Sequence, residues 1–535
     1  MSSPEAEGLR IRTAAAASCE QHGNNNNAFP VGADSFVVRL SGAGLDEPFI
    51  ERVTKDGDGP YVLTGVPPAE NLVMDLVACN GSTALSAGRT EGVTILEHQK
   101  SFPPIFLTPV GGQTACVDAD TDAQALSHAF GSALRIGDTV FVLGGLGEYA
   151  LEQSVGVGKA SDRVSHYARL LGTRSASTGT LISARAMATS YVTSDSKIRL
   201  IGGAKTINLN TPNFDLWPAG GSAPDCGIEL WDPQSGASTC EYNNSLPAGG
   251  SGAVLGADLA VYVGGVDAGG EFGVASDKAY VIQGSDVVEL TMPQARVGAT
   301  VTRLSATEAL IWGGNFDADA ANAGLLLDTS AGTITALEST VPDGIAPMWA
   351  AAVYAGTGSD GTHQVLVAGG TELSLNGVYV TAPIPPSSAR LMLLTVGADG
   401  VQGDAVLLDE TQEVRFKRVA ASLFDVGNGE FWLLGGVTSY SKDEQVCPGA
   451  SSAGCFPDRM ARFSLGADGT TLSMGSQTIE SSSVGSLGAM AVDLGDESSI
   501  VIGGLKSASA GALDTNAELV RYGSSVSSLC ATGSE

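Results

Sequence analysis

A short apolar run that ends in two glycines recurs seven times along this 535-residue chain. Successive pairs lie roughly 50 to 70 residues apart, which is the spacing of a repeated supersecondary unit whose neighbours bury a common core. This recurrence constrains the fold more than any other feature of the sequence. The pairs are Gly144-Gly145, Gly202-Gly203, Gly264-Gly265, Gly313-Gly314, Gly369-Gly370, Gly435-Gly436 and Gly503-Gly504.

Each repeat is predicted to contain four short antiparallel strands. A run of tiny residues, such as Trp349-Ala350-Ala351-Ala352-Val353, lies upstream of the Gly-Gly run, and a turn rich in Gly, Asp or Asn separates the two. A second hairpin follows downstream, as at Leu325-Leu326-Leu327-Asp328. Apolar runs separated by such turns are typical of β-hairpins. One repeat is therefore expected to form one four-stranded sheet.

A four-stranded sheet repeated around an axis is the blade of a β-propeller. Over residues 112–535 the sequence resembles the kelch and galactose-oxidase-like propeller family, through the Gly-Gly strand ends and the Trp231-Asp232-Pro233 type of third strand. The resemblance implies a seven-bladed kelch-like β-propeller, with the small residues of each first strand near the axis. It implies little about function, because this fold carries enzymes, adhesins and scaffolds.

The chain in front of the repeats is predicted to contain a small β-sandwich. Residues 1–30 are polar and are expected to form a flexible segment. Residues 31–111 contain about seven alternating strands, which favours a sandwich. Gly59-Pro60-Tyr61-Val62-Leu63 resembles the transthyretin-like, or carboxypeptidase-regulatory-like, modules and implies a spacer or binding module. The predicted fold class is therefore all-β, a β-sandwich followed by the propeller at 112–535.

The last repeat is predicted to be completed by the segment that precedes the first. After Tyr522 the sequence offers only a weak strand. We therefore expect the seventh sheet to take a strand from residues 114–117, which would join the two ends of the ring.

The charge of the chain excludes several classes of partner. Its net charge is −30, from 28 basic and 58 acidic residues, which argues against nucleic acid and against an anionic membrane surface. No apolar run approaches the ~20 residues that span a bilayer. No leader is visible at the N-terminus, as expected of an exported protein from which a leader has been removed.

Eight cysteines predict export to an oxidising compartment, either extracellular, at the cell surface or periplasmic. None has the spacing of a metal site, which argues against zinc. We hypothesise four disulfides, although eight cysteines allow about 105 pairings. The hypothesised pairs are Cys226 with Cys240, Cys447 with Cys455, Cys116 with Cys530, and Cys19 with Cys79.

Three arginines occupy equivalent positions in alternate repeats. Arg185, Arg296 and Arg418 each precede the first glycine of their repeat by 17 residues, and His128 precedes Gly144 by 16. The starts of the first strands surround the channel mouth, so these side chains are candidates for a cationic ring that binds a carboxylate, sulfate or uronate. The alternative is structural: each arginine bonds loop carbonyls or an acidic residue of a neighbouring blade.

Long connections are expected on the same face as the channel mouth, where binding sites are usually built. Trp217, Tyr440 and Phe456 are the aromatic residues of these connections that we select as candidate ligand contacts. The alternative is that aromatic residues there only pack their own loops. The aromatic residues of the connections are Tyr149, Phe214, Trp217, Phe272, Tyr440 and Phe456.

Catalytic motifs are not evident, so we predict no catalytic residue and no cofactor. A copper site of the galactose-oxidase kind needs two histidines, two tyrosines and a cysteine at the axis, and only His128 is suitably placed. Calcium remains an alternative at Asp118-Ala119-Asp120-Thr121-Asp122, although Ala123 stands where an EF-hand-like loop has glycine.

These observations favour an exported, non-enzymatic binding or adhesion protein. Its long-loop face is expected to bind a glycan or a surface protein. The alternative is a carbohydrate-active enzyme of the galactose-oxidase-like propeller type, with its site at the channel mouth.

Overall fold

The computed structural model consists almost entirely of short strands, so the all-β prediction is confirmed. Its helical parts include a 3-10 turn (Ala123–Leu126) and α1 (Ser527–Thr532). Among the described residues, no helix has the length and apolar character needed to cross a membrane. The structure describes residues 8–10, 12–15, 32–54, 62–63, 65–96, 100–101, 104–110, 113–114, 116–117, 123–152, 155–169, 173–210, 215–219, 221–268, 274–314, 324–340, 347–358, 360–370, 391–397, 400–405, 416, 418–427, 429–437, 461–465, 472–474, 487–494, 498–505, 513, 517–521 and 527–532.

The N-terminal strands form two sheets around one apolar core. The strands are β1 (Gly8–Arg10), β2 (Arg12–Ala15), β3 (Ser35–Ser41), β4 (Phe49–Thr54), β5 (Val62–Leu63), β6 (Ala69–Asn80), β7 (Thr83–Ile95), β8 (Lys100–Ser101) and β9 (Pro104–Pro109). The sheets have the orders β5-β1-β8 and β2-β9-β7-β6-β3-β4. Leu63 of the small sheet shares a buried cluster with Phe36, Leu76 and Leu107 of the large one. The division of the chain into domains stays a prediction.

The opposite face of the large sheet is covered by α1. Successive residues of a strand point to opposite faces, so Val37 and Val77 lie on the face away from the shared core. There they pack with Leu529 and Cys530 of α1. Arg52 donates a hydrogen bond to the carbonyl of Cys530, a favourable place for a cation because helix C-termini carry partial negative charge.

A disulfide joins this sheet to α1, and it corrects two of the predicted pairings. Cys79 bonds Cys530, which rules out Cys19 with Cys79 and Cys116 with Cys530. The reason is the packing of α1 on the large N-terminal sheet, which brings Cys530 to β6 rather than to the segment around Cys116. The predicted pair Cys226 with Cys240 is confirmed. Cys447 and Cys455 lie outside the described residues.

Most strands in the described part of the remaining chain form seven sheets, numbered in chain order. Sheet 1 contains β12 (Ser132–Ile136), β13 (Thr139–Leu143), β16 (Arg163–Ala168) and β17 (Thr173–Thr180); sheet 2, β18 (Thr189–Val192), β19 (Ile198–Ile201), β22 (Ile228–Trp231) and β23 (Ser238–Tyr242); sheet 3, β24 (Ser251–Gly256), β25 (Leu259–Val263), β26 (Val266–Asp267), β27 (Val274–Gln283) and β28 (Asp286–Arg296); sheet 4, β29 (Thr300–Arg303), β30 (Glu308–Trp312), β31 (Gly324–Asp328) and β32 (Thr333–Leu337); sheet 5, β33 (Ala351–Thr357), β34 (His363–Ala368), β35 (Leu391–Gly397) and β36 (Gly400–Ala405); sheet 6, β37 (Val419–Gly427), β38 (Glu430–Val437), β39 (Ala461–Leu465) and β40 (Leu472–Met474); sheet 7, β41 (Met490–Asp493), β42 (Ser498–Ile502) and β43 (Ala517–Arg521).

A short segment before sheet 1 joins both ends of this series. β10 (Gln113–Thr114) pairs antiparallel with β43 and becomes the fourth strand of sheet 7. β11 (Cys116–Val117) pairs parallel with β17 of sheet 1. The expected completion of the last sheet is therefore observed at Gln113–Thr114, while the residues after it extend the first sheet.

Each sheet packs against the next, and the order of contacts returns from sheet 7 to sheet 1. The first strands contact one another in the cyclic order β12, β18, β24, β29, β33, β37, β41 and again β12. A buried apolar cluster accompanies each junction. Trp231 of sheet 2 packs in one cluster with Leu143 of sheet 1, and Ile502 of sheet 7 packs in another with Val142 of sheet 1.

The Gly-Gly pairs hold neighbouring sheets together by a contact that we call the glycine clasp. All fourteen glycines have positive φ, which glycine adopts without strain. In three of the seven pairs, the second glycine donates its N–H to the carbonyl of the arginine that precedes the first strand of the next sheet. These bonds run from Gly145 to Arg185 (2.8 Å), from Gly265 to Arg296 (2.9 Å) and from Gly370 to Arg418 (2.7 Å).

The first glycine of the pair is required because that arginine carbonyl lies where a side chain would be. A Cβ on Gly264 would overlap the carbonyl oxygen of Arg296, whereas a Cβ on Gly284 would meet nothing within 4 Å. The two glycines have nearly the same φ, 61° and 60°. Substituting each of them by alanine therefore separates the cost of the clash with the Arg296 carbonyl from the cost of backbone strain, which both substitutions share.

We expect Gly264→Ala to lower the free energy of unfolding by about 2–4 kcal/mol, because it adds a clash with a fixed backbone atom to the strain of positive φ. Gly284→Ala should cost only about 1 kcal/mol, the strain alone. Urea unfolding of both variants measures the difference. Equal costs would contradict the glycine clasp.

Candidate ligand-binding site

The first strands of the seven sheets surround a cavity of about 440 Å³. Small-molecule sites typically have about 300–1,000 Å³. Every sheet contributes to the lining, and most of the contributed residues are tiny, as predicted for the first strands. Representative lining residues are Ser132, Thr189, Ser251, Ala350, Ala421 and Ala489.

One residue at or just before the first strand of each sheet, which we call its rim residue, lies at the cavity or its edge in the left-handed conformation. The rim residues and their φ values are Phe130 (58°), Met187 (59°), Gly249 (61°), Gly298 (65°), Trp349 (55°), Ala420 (54°) and Gly488 (71°). Four of the seven are not glycine. Residues with a Cβ rarely adopt this conformation, and backbone strain of this kind is concentrated at functional sites.

Backbone hydrogen bonds explain why the rim residues keep this conformation. Each of four rim residues donates its N–H to the carbonyl of the rim residue in the preceding sheet. The bonds run from Phe130 to Gly488 (2.7 Å), Met187 to Phe130 (2.7 Å), Trp349 to Gly298 (2.7 Å) and Ala420 to Trp349 (2.9 Å). The rim backbone is therefore fixed by its neighbours, and its side chains start from fixed positions.

Two aromatic rim residues lean over the glycines of the preceding sheets. A Cβ on Gly298 would lie 2.7 Å from the ring of Trp349, and a Cβ on Gly488 would lie 2.6 Å from the ring of Phe130. Both rings are partly exposed and line the cavity. The glycines thus leave room for flat aromatic surfaces at the cavity.

The polar groups of the cavity are hydroxyls and backbone atoms. Ser132 Oγ donates to the carbonyl of Ala188 at 3.2 Å, and Ser422 Oγ donates to that of Ala489 at 3.4 Å, so each links two sheets. Thr189, Ser190 and Ser251 also line the cavity. Among the lining residues that the structure describes, none carries a charge. This arrangement suits a neutral, hydroxyl-bearing ligand better than an ion.

Two predicted loops instead form a further sheet, which we call the accessory sheet. Its strands are β14 (Leu146–Glu152), β15 (Val155–Ala160), β20 (Thr206–Asn210) and β21 (Asp215–Pro218), paired in that order. They belong to the long connections that follow the Gly-Gly pairs of sheets 1 and 2. Leu146, Tyr149 and Ile207 share an apolar cluster with Phe130 and Met187. The accessory sheet therefore packs on the rim.

Pro218 completes this contact at the third rim residue. A Cβ on Gly249 would overlap the Pro218 ring, so the last residue of β21 covers the rim of sheet 3. The accessory sheet thus lies against the rim along sheets 1 to 3.

The predicted cationic ring is wrong. Arg185, Arg296 and Arg418 are only 1%, 0% and 2% exposed. Each donates from Nη1 to the carbonyl of the first glycine of the Gly-Gly pair that lies 17 residues after it. The acceptors are Gly202 (3.0 Å), Gly313 (2.6 Å) and Gly435 (3.1 Å). The carbonyl-bonding alternative is therefore correct, because the 17-residue spacing places each arginine beside the Gly-Gly end of its own hairpin.

Burial lowers the pKa of two of these arginines. Burial lowers the pKa of Arg296 to about 10. It also lowers the pKa of Arg185, against the opposing effect of Glu229. Arg185 Nη2 lies 2.7 Å from Glu229 Oε2, and both side chains are fully buried. The three guanidinium groups therefore make their contacts inside the junctions between sheets and do not line the cavity.

His128 takes the place of the arginine in sheet 1. Its Nδ1–H donates to the carbonyl of Gly144 at 2.6 Å, and the side chain is fully buried. Burial lowers the pKa of His128 to about 4, so the imidazole is neutral at pH 7. His128 is therefore not a ligand contact at the mouth, contrary to the prediction.

The remaining candidates are only partly covered by the described residues. Trp217 lies in β21 of the accessory sheet, but its side chain is outside the described part. Tyr440, Phe456 and the calcium candidate at 118–122 lie outside it altogether. In the residues that are described, no group of three or more His, Cys, Asp or Glu could hold a metal ion.

The sequence reasoning missed the aromatic rim residues. Phe130 and Trp349 stand directly before the tiny residues of their first strands. Glycine occupies the equivalent position in three other repeats. A large aromatic side chain at a position where other repeats have glycine was therefore the signal that could have identified Phe130 and Trp349.

Comparisons with known proteins add little to this description. No family model matches the chain, and no curated protein sequence matches it. A solved structure of a protein named YjhT is similar at 12% identity, with a TM-score of 0.38, and the match covers 65% of this chain and 97% of that one.

We expect Ala420→Gly to raise the free energy of unfolding by about 0.5–1 kcal/mol, because it relieves the strain of positive φ. The mirror variant Gly298→Ala should lower it by about 2 kcal/mol, since it adds that strain and crowds the Trp349 ring. Urea unfolding of the two variants tests the rim geometry. A loss of stability in Ala420→Gly would count against it.

The stability of the fold should depend on pH through His128. Its folded pKa of about 4 lies below the ordinary value of 6.5, so only the unfolded chain gains a proton between these values. The stabilisation is full above pH 6.5 and is lost as the pH falls toward 4, by up to about 3 kcal/mol.

The pH profile of His128→Gln separates this effect from that of other groups. The stability difference between the wild type and the variant should shrink as the pH falls from 7.5 to 4.5. A difference that is constant over this range would show that His128 does not titrate as proposed.

Proposed function

We propose that the seven sheets are the blades of a closed β-propeller and that the protein binds a neutral glycan at the axial cavity. The kelch-like resemblance of the sequence implies the same blade number. The cyclic order of contacts and the strand exchange at Gln113–Val117 support closure. The binding function is carried by one observation: an uncharged cavity with fixed aromatic rims.

The chemistry of the cavity favours a carbohydrate among neutral ligands. Hydroxyls of Ser132, Thr189 and Ser251 can exchange hydrogen bonds with sugar hydroxyls, and binding sites commonly combine apolar walls with a few such groups. The faces of Trp349 and Phe130 supply flat apolar area for a sugar ring. A rigid rim also lowers the conformational entropy lost on binding.

An acidic glycan fits less well than a neutral one. The arginines that would have bound a carboxylate are buried, and the net charge of −30 repels anions. The alternative, a carbohydrate-active enzyme, required the same three arginines at the channel mouth. Because they are buried, no described residue with the predicted role supports that alternative.

The disulfides support export of the protein. Cys79–Cys530 and Cys226–Cys240 join residues that are mostly buried in the fold. Such bonds persist in oxidising compartments and are rare in the cytosol. An extracellular, surface or periplasmic setting is also where a glycan-binding protein meets glycans.

We expect Trp349→Ala to weaken glycan binding at least tenfold, because it removes the larger aromatic face of the rim. Trp349→Phe should retain most of the affinity, and Val288→Ser, on the exposed outer strand of sheet 3, should be neutral. Calorimetry with the methyl glycosides of glucose, galactose, mannose and N-acetylglucosamine, with glucuronate as the acidic comparison, provides the measurement.

Salt dependence distinguishes the neutral site from an anion site. Binding to an uncharged cavity should be the same at low and high NaCl, whereas binding by arginines would weaken as salt screens the charges. Equal affinity of wild type and Trp349→Ala, or binding of glucuronate alone, would overturn the proposal.

A further inference from the structure

The axial cavity is closed at the rim residues, where the first strands begin. In each of the seven sheets, the residue directly before the rim residue is 2% exposed or less and does not line the cavity. These residues are Ala129, Ala186, Ala248, Val297, Met348, Val419 and Leu487. A channel that continued past the rim would expose them to solvent. The cavity therefore ends at the rim.

Apolar packing closes this end. In four sheets, the residue after the Gly-Gly pair forms a β-bridge with the residue before the rim residue. The bridges join Ala129 to Leu146, Ala186 to Ala204, Ala248 to Val266, and Leu487 to Leu505. Most of these residues share one cluster with the rim residues Phe130, Met187, Trp349 and Ala420. The accessory sheet packs on the same cluster, so packed side chains cover the rim end of the cavity.

The cavity extends to the opposite end of the first strands, at the turns that lead into the second strands. Ser190, Phe424 and Ala491 line this part of the cavity and are partly exposed. The strands continue toward the turns with exposed residues, which include Val192, Asp425 and Asp493. The cavity therefore opens at the turns, and we call this opening the turn end.

We propose that the axial cavity is a blind pocket that is entered from the turn end and binds the terminal unit of a neutral glycan chain. This inference rests on the proposed function and names the part of the glycan that is recognised. A cavity of about 440 Å³ has the size of a small-molecule site, and its closed rim end prevents a polymer from passing through. The aromatic rim residues Phe130 and Trp349 form the floor of the pocket. The entrance is thus opposite to the channel mouth that the sequence predicted.

Phe424 is placed to contact the second unit of the chain. It lines the cavity directly before the exposed Asp425, so its ring lies near the turn end. It also packs against a cluster that contains Trp432 and Leu434, which fixes its position. Burying an aromatic face contributes apolar contact area that does not depend on the identity of a neutral sugar.

The recognition of a chain end is tested by calorimetry with β-1,4-linked tetrasaccharides of glucose, galactose, mannose and N-acetylglucosamine. Each is compared with forms that carry a benzylidene cap at the non-reducing end, an aminobenzamide cap at the reducing end, or both. The uncapped chain should bind, and so should the form whose cap is at the end that stays outside. The doubly capped form should not bind. Equal binding of doubly capped and uncapped chains would overturn the inference, as would loss of binding in both singly capped forms.

The direction of entry is tested by the contribution of the second sugar unit. In the wild type, the β-1,4-linked disaccharide should bind about tenfold more tightly than the methyl glycoside, since an aromatic contact contributes about 1 kcal/mol. Phe424→Leu keeps apolar packing but removes the flat ring, so it should bind the disaccharide no more tightly than the methyl glycoside. Phe424→Tyr should restore the difference.

Tyr354→Leu is the matched control, because Tyr354 is a partly exposed aromatic residue of the first strand in sheet 5 that does not line the cavity. It should keep the preference for the disaccharide. An undiminished preference in Phe424→Leu would overturn entry from the turn end. A urea midpoint measured for each variant verifies that the comparison is made between folded proteins.

Failure of this inference can be told apart from failure of the proposed function. If Trp349→Ala loses binding of the methyl glycosides while doubly capped chains still bind the wild type, the cavity binds glycans and only the blind pocket is wrong. If the wild type binds none of the glycosides or tetrasaccharides, both proposals fall.

Discussion

The glycine clasp is the contact on which three of the junctions between sheets depend, at Gly144-Gly145, Gly264-Gly265 and Gly369-Gly370. A Gly-Gly pair turns one N–H toward the next sheet, and the absent side chain lets an arginine carbonyl approach. The guanidinium of that arginine donates a hydrogen bond to the carbonyl of the first glycine of the next Gly-Gly pair along the chain. One residue therefore satisfies buried groups at both ends of a junction, where unpaired backbone atoms would be costly.

The same constraint shapes the candidate site. The arginines and His128 make their hydrogen bonds inside the junctions between sheets. The cavity is therefore lined by small residues, hydroxyl groups and the aromatic rim residues Phe130 and Trp349. The strained conformation of Phe130 and Trp349 follows from hydrogen bonds between successive rim residues. Outside the seven sheets, the helix Ser527–Thr532 packs on the large N-terminal sheet and is joined to it through Cys79–Cys530.

The periodic features of the fold could be predicted from the sequence, because the Gly-Gly pairs and the tiny first strands repeat. Completion of the last sheet near Thr114 followed from counting strands. The role of Arg185 could not be settled, since spacing gives the position of a residue but not the direction of its side chain. The accessory sheet was missed because β14, β15, β20 and β21 pair across two separate connections, and Cys79–Cys530 because it spans 451 residues.

The most direct test of the account is the stability of Arg185→Met beside Arg303→Met. Arg185 donates hydrogen bonds to three carbonyls and to Glu229 in the interior, whereas Arg303 is exposed. Leaving a buried charge without its partner costs about 3–5 kcal/mol, so urea unfolding should show a loss of that order for Arg185→Met and almost none for Arg303→Met. Equal stability of the two variants would contradict the claim that Arg185 stabilises the junction between sheets.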